Sequence, residues 1–114
     1  MCSKAVLDTI TGRVCAAAKE VLGDKLEKVV LFGSYARGDY DEYSDIDIFV
    51  LADIRLEDAR RVGSEIDRIT GDLDLEYDVV VSLHVTCSSI FHRFRDVMPY
   101  FMNVQKDGVE LAYA

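Results

Sequence analysis

The chain has 114 residues, half of them apolar, with a single proline and no repetitive or low-complexity stretch, so a folded single domain spanning 1–114 is expected rather than disorder. Its 21 acidic residues against 13 basic ones, a net charge of −8, oppose the electrostatics needed to track a nucleic-acid backbone, which makes nucleic acid an unfavourable partner. No apolar run approaches membrane-spanning length, and the start at Met1 leads into an amphipathic pattern; a cytoplasmic protein with no membrane partner is expected.

In chain order, Val6, Leu7, Ile10, Val14, Ala17, Ala18, Val21 and Leu22 recur at helical spacing, and Gly23 follows the last of them, which predicts a helix over 3–22. The run Lys28-Val29-Val30-Leu31-Phe32 reads as a strand that ends in a tight turn at Gly33-Ser34. After the polar stretch 38–44, Asp45 to Leu51 carries apolar residues of both parities and reads as a strand covered on both sides. Leu56, Ala59, Val62, Ile66 and Ile69 mark one face of a helix over 57–70, closed by Gly71-Asp72. Residues 75–82 are β-branched and aromatic, with acids at alternate positions, and predict a third strand. The tail over 86–105 suggests short helices, followed by an Asp107-Gly108 turn. This order predicts an α/β fold: a small mixed β-sheet with helices packed mainly on one face.

The chemistry concentrates in acids placed on strands. Asp45 and Asp47 are two apart, so on a strand their carboxylates share a face and can share a cation. If the third strand neighbours the second, Asp78 completes a three-acid set, with Glu76, of the same parity, in reserve. Carboxylates without cysteine or histidine favour Mg²⁺, which completes its coordination with water and substrate phosphate. Taken one at a time, these acids read as polar loop or strand-edge residues. The turn at Gly33-Ser34 shifts that balance, because a glycine lets phosphate approach the backbone and Ser34 offers a hydroxyl and an N–H. Arg37, one turn on, is placed either to brace phosphates or to pair with a carboxylate such as Asp45. The loop is not a Walker A motif, since the Gly-Lys-Ser/Thr ending is absent.

Cys2, Cys15 and Cys87 form no CxxC pair and read as small structural or surface residues. His84 and His92 lack any metal-binding spacing and are expected to be structural. Tyr35, Tyr40 and Tyr43 could stack a base, but loop tyrosines more often pack or face solvent.

Gly33-Ser34-Tyr35-Ala36-Arg37-Gly38, a five-residue spacer and Ser44-Asp45-Ile46-Asp47 together resemble the signature of the DNA polymerase β-like nucleotidyltransferase superfamily. Within it the chain looks most like the minimal nucleotidyltransferases, small domains often paired with a HEPN protein as antitoxin and toxin. The resemblance implies that Asp45, Asp47 and Asp78 hold metal and that Gly33 and Ser34 hold the triphosphate of an NTP such as ATP. It further implies metal-dependent transfer of a nucleotide to a hydroxyl of a partner protein, such as a tyrosine on a HEPN-type partner. Two other outcomes remain open at this stage: a non-catalytic antitoxin that blocks its partner, and transfer to a small molecule such as an aminoglycoside.

Overall fold

The structure, a computed structural model, describes residues 3–113; Cys2, read above as a structural or surface residue, lies outside the described residues. Helix α1 (Lys4–Leu22) starts where Ser3 Oγ accepts a hydrogen bond from the Val6 N–H at 3.2 Å, an N-cap that satisfies one of the first-turn donors. It stops at Gly23, whose φ of 58° favours a residue without a side chain. A short 3₁₀ turn then feeds strand β1 (Leu26–Phe32), and β1 ends at the one-turn helix α2 (Ser34–Arg37). Strand β2 (Ile46–Ala52) follows, antiparallel to β1, with Phe32 opposite Asp47 and Val29 opposite Val50.

A second 3₁₀ turn, Leu56–Asp58, leads into α3 (Ala59–Thr70), so the predicted helix over 57–70 is helical throughout but tighter at its start. The next segment departs from the expectation. Residues Asp72–Tyr77 form a helix, α4, and the third strand is β3 (Val81–Cys87), later than the predicted 75–82. Leu73 of α4 is fully buried against the α1/α3 core while Leu75 and Glu76 face outward, the spacing of a helical turn rather than of a strand. Helices α5 (Ser88–Phe94) and α6 (Pro99–Asp107) occupy the tail, with Pro99 at the first turn of α6, where its missing N–H costs nothing. A fourth strand, β4 (Val109–Tyr113), follows the Asp107-Gly108 turn and was not anticipated from the pattern.

The sheet order is β3-β2-β1-β4, with β2 and β3 parallel and the other neighbours antiparallel, so the sheet is mixed. Most of the core lies on one face, where Ile10, Val14 and Ala18 of α1 and Val62 and Ile66 of α3 meet Val29, Ile48 and Val50. A smaller cluster on the other face sets Phe91 of α5 and Phe101 and Val104 of α6 against Val30, Phe49 and Leu51. Because β2 is covered on both sides, it is apolar at both parities apart from Asp47 at its start. That single polar position lies on the α5/α6 face, in line with Phe49 and Leu51, at the end of the sheet where β1 finishes and β2 begins.

Candidate active site

Three local devices build the site. The first is Gly33, with φ 77° and ψ −155°, which turns the chain out of β1 into α2. A Cβ at this position would lie 2.5 Å from Asp47 Oδ2, so the bare Cα is required twice, by the backbone conformation and by the neighbouring carboxylate. The second is α2, whose turn closes with the N–H groups of Ala36 and Arg37 donating to the Gly33 carbonyl at 3.1 Å each. Gly38, with φ 85°, ends it by donating to the Ser34 carbonyl. The first N–H groups of such a turn have no partner within the helix and point toward whatever precedes it. The third is the loop entering β2: Asp41 Oδ1 accepts from the Tyr43 N–H at 2.9 Å and from the Ser44 hydroxyl at 3.2 Å. This fixes the approach of Asp45 to the strand.

Asp45 is exposed, and Asp47 is half-buried between Gly33 and β3. Burial pushes the Asp47 carboxyl above the ordinary aspartate range, and the charge of Asp45 pushes it further; His84 and Arg37 act in the opposite direction. Asp45 is thus close enough for its charge to oppose the ionisation of Asp47, as expected for residues of one parity at the head of a strand. Arg37 is held at 3.2 Å by Asp39 and at 3.7 Å by Asp107 of α6. Of the two roles left open for it, pairing with a carboxylate is what the structure contains, with Asp39 and Asp107 as partners instead of Asp45. Its charge still reaches Asp47.

Asp78 needs correction. It is not on a strand: it caps α4 in the left-handed conformation, φ 51° and ψ 54°, and is exposed. Asp78 and Asp45 line a shallow pocket together with Tyr35, Tyr43 and Val80, yet the charges acting on Asp47 come from His84, Asp45 and Arg37 and not from Asp78. Glu76 projects from the exposed side of α4 and offers no replacement. The position on β3 directly across from Asp47 is Ser82, so a third carboxylate is missing where the sheet would deliver one.

What the sheet does deliver is His84, set aside above as structural. Its Nε2 lies 3.9 Å from Asp47 Oδ1, and its ring packs edge-on against Phe32 at 5.4 Å between centroids and tilted against Tyr100 at 5.7 Å. The Tyr100 hydroxyl is buried without a hydrogen-bond partner among the described residues, and burial together with the charge of Asp47 pushes its ionisation up. No sequence spacing links residues 47, 84 and 100; only the parallel β2/β3 register and the packing of α6 unite them. Tyr35 is buried and stacked on Tyr40 at 4.2 Å, while Tyr43 is exposed.

The glycine turn at the end of β1, pressed against Asp47 at the head of β2, falls within residues 14–101, which fit the family model described as Nucleotidyltransferase domain. The chain belongs to the nucleotidyltransferase domain family. The Methanocaldococcus jannaschii protein named "Putative protein adenylyltransferase MJ0141" is 37% identical over 91 residues, covering 80% of this chain and 84% of that protein. The similarly named MJ0604 of the same organism is 39% identical over 92 residues, 81% of this chain and 84% of that one. Among solved structures, a toxin–antitoxin crystallised with AMP-PNP aligns with a TM-score of 0.58 and 22% identity, over 91% of this chain and 73% of that chain. A structure described as a "putative minimal nucleotidyltransferase" aligns with a TM-score of 0.51 and 20% identity, over 92% of both chains. The protein is therefore a nucleotidyltransferase of α/β fold, as its strand-end motif implied.

Among the described residues of this nucleotidyltransferase, no three His, Cys, Asp or Glu side chains converge on a point that could hold an ion by themselves. Two carboxylates beside a glycine turn nevertheless suit a hard divalent cation that takes its remaining ligands from phosphate and water. Among the described residues, no helix is long and apolar enough to cross a membrane.

Proposed function

We propose that this nucleotidyltransferase transfers AMP from ATP to a hydroxyl of a partner protein, with Mg²⁺ held by Asp45 and Asp47. The observation that carries the proposal is the contact geometry at Gly33, where the turn that would seat the triphosphate lies against the Asp47 carboxylate with no room for a Cβ. Gly33 would admit phosphate oxygens to the backbone and Ser34 would donate to them. Arg37, exchanging Asp39 or Asp107 for a phosphate, would brace the outer phosphates. A bound divalent cation would supply charge neutralisation for the triphosphate and polarise the α-phosphoryl group. The chain's own contribution is then positioning: the acid pair and the turn would align the α-phosphorus, and an acceptor hydroxyl would attack in line, its P–O bond forming as the α–β bond breaks, with pyrophosphate leaving and the hydroxyl proton lost to solvent.

Protein as the acceptor is supported by the names of the two relatives that share 37% and 39% of aligned residues. A HEPN-type toxin is the partner we favour, in keeping with the likeness in fold to toxin–antitoxin structures. Asp78 and Glu76 are left out of the metal set, because neither stands on β3 beside Asp47.

One observation favours a second reading. Ser82 in place of an acid across from Asp47 suits a domain that binds nucleotide and silences its partner by occupancy, with transfer secondary. Label transfer from α-labelled ATP with Mg²⁺ into host lysate separates the two. A protein band labelled by the native chain and absent with Asp45→Ala/Asp47→Ala supports adenylylation. No labelled band, with partner inhibition intact in the double variant, supports occupancy and sinks the first reading.

A further inference from the structure

Strand β3 is an edge of the sheet, and its free side opens beside Asp47. The Ile46 N–H donates to the Val80 carbonyl at 2.9 Å, which sets the phase of the parallel ladder: Ser82, His84 and Thr86 turn their peptide groups to β2, and Val81, Leu83 and Val85 turn theirs outward. The first outward donor, Val81 N–H, is met by Asp74 Oδ1 at 3.4 Å. Leu83 and Val85 have no such cover among the described residues. Their outward N–H and C=O groups run along the floor of a groove walled by Arg60, Gly63, Ser64 and Asp67 of α3 and by His84 and Tyr100.

Natural sheets usually protect such an edge with a bulge, a proline or an inward-pointing charge. Over 81–87 β3 shows none of these: the register to β2 is unbroken from Val81 to Cys87, and the strand holds neither proline nor lysine. On the helical wall Gly63 faces Val85, where a Cβ would sit in ordinary van der Waals contact, 3.5 Å from Val85 Cγ2, and a longer side chain would extend into the groove that Gly63 lines. Arg60 has no ion-pair partner among the described residues, so the groove combines unpaired backbone groups with an unpaired cation. One of its lining residues, His84, sets its Nε2 3.9 Å from Asp47 Oδ1 and packs its ring against another, Tyr100, so the groove reaches the reaction site.

We propose that this edge is the acceptor-docking site: an extended, hydroxyl-bearing segment of the protein substrate adds to β3 as a fifth strand and is thereby led to Asp47. The inference rests on the adenylylation reading and names how the acceptor is held. Main-chain pairing supplies sequence-tolerant affinity, with Arg60 favouring an acidic residue at one end of the α3 wall and Asp67 a basic one about two helical turns further along. An extended segment fits this groove because the outward Leu83 and Val85 peptide groups run along it, beside the polar α3 row of Arg60, Ser64 and Asp67.

The test compares three variants with the native chain for labelling of lysate protein from α-labelled ATP, and for ATP binding with Mg²⁺ by calorimetry. Val85→Pro deletes one outward N–H without removing a bond to β2, because edge positions tolerate proline. Val85→Ala trims the side chain but keeps that N–H. Gly63→Lys improves helix propensity while filling the groove. The expected result is a fall in protein labelling of about tenfold or more for Val85→Pro and Gly63→Lys, near-native labelling for Val85→Ala, and ATP binding unchanged in all three. If Val85→Pro loses ATP binding through misfolding, Gly63→Lys decides alone. Native-level labelling by Gly63→Lys, or equal loss in Val85→Pro and Val85→Ala with ATP binding intact, overturns the docking site and leaves adenylylation standing. A dimer of the native chain that Val85→Pro dissociates without any loss of labelling assigns the edge to a second copy and overturns the proposal. Absence of labelled protein with the native chain overturns the adenylylation reading itself, and the docking site with it.

Discussion

The two halves of the candidate site were built by different means. The segment from Gly33 to Asp47 is a local device: a left-handed glycine, a one-turn helix, an Asx-type turn at Asp41 and two carboxylates of one parity, each requirement met within a few residues of chain. The segment from Asp72 to Cys87 acts at long range, since Ser82 and His84 matter only because β3 lies parallel to β2 in one particular register. Chemistry encoded locally survives a mistaken element boundary, whereas chemistry supplied by a neighbouring strand moves to different residues with every shift in register.

The comparison breaks most directly at Asp47. With Asp47→Ala, label transfer should fall by about three orders of magnitude, as when a group acting at the developing charge is lost; near-native turnover would show that the local half is not catalytic. Next in size, Gly33→Ala forces a Cβ toward Asp47 Oδ2 at a φ of 77°, and should destabilise the fold by about 1–2 kcal/mol while cutting transfer at least tenfold. Unfolding in urea and transfer assays measure the two losses separately.

Ser82→Asp sharpens the comparison from the other side. If the long-range half lacks only a carboxylate, this variant should bind Mn²⁺ or Mg²⁺ severalfold more tightly than the native chain and lower the apo Tm through repulsion with Asp47. Unchanged metal affinity would place the vacancy elsewhere. By contrast, Asp78→Asn and Glu76→Gln should leave transfer within about twofold of native, because both act from exposed positions on or just after α4.

The smallest effect concerns pH. The Asp47 carboxyl holds its proton to higher pH in the folded chain than in the unfolded one, so its penalty is absent below the ordinary aspartate value of 3.8 and fully present above the raised folded value. Asp47→Asn should therefore raise the apo Tm by about 2 °C near neutral pH, a difference that closes as the pH falls through that window. A Tm gap that persists or widens in acid would contradict a raised Asp47 carboxyl.

The misreading of 75–82 as a strand has a physical explanation. Leu75, Tyr77 and Val79 alternate with Glu76 and Asp78 and run on into Val80-Val81, and a run of that length has no strong preference between one buried helical turn and an edge strand. Burial of Leu73 decided for the helix, Asp78 took the left-handed cap, and the strand began three residues later. The unanticipated β4 has a similar origin: Val109 to Tyr113 is short and pairs only with β1, and nothing within five residues signals a partner some eighty positions upstream. His84 was set aside for want of a ligand spacing, a correct reading of its neighbours in sequence that carried no information about its neighbours in space.

The sequence by itself determined α1, β1, β2 and the Gly33-to-Asp47 motif, because helical periodicity, strand parity and glycine conformation are properties of a few adjacent residues. Only the tertiary structure decided that Ser82 rather than an acid faces Asp47, that His84 borders it with Tyr100 packed on the imidazole, and that the β3 edge stays open. Those outcomes depend on strand order, register and helix packing, which no single segment encodes and which the whole core selects together.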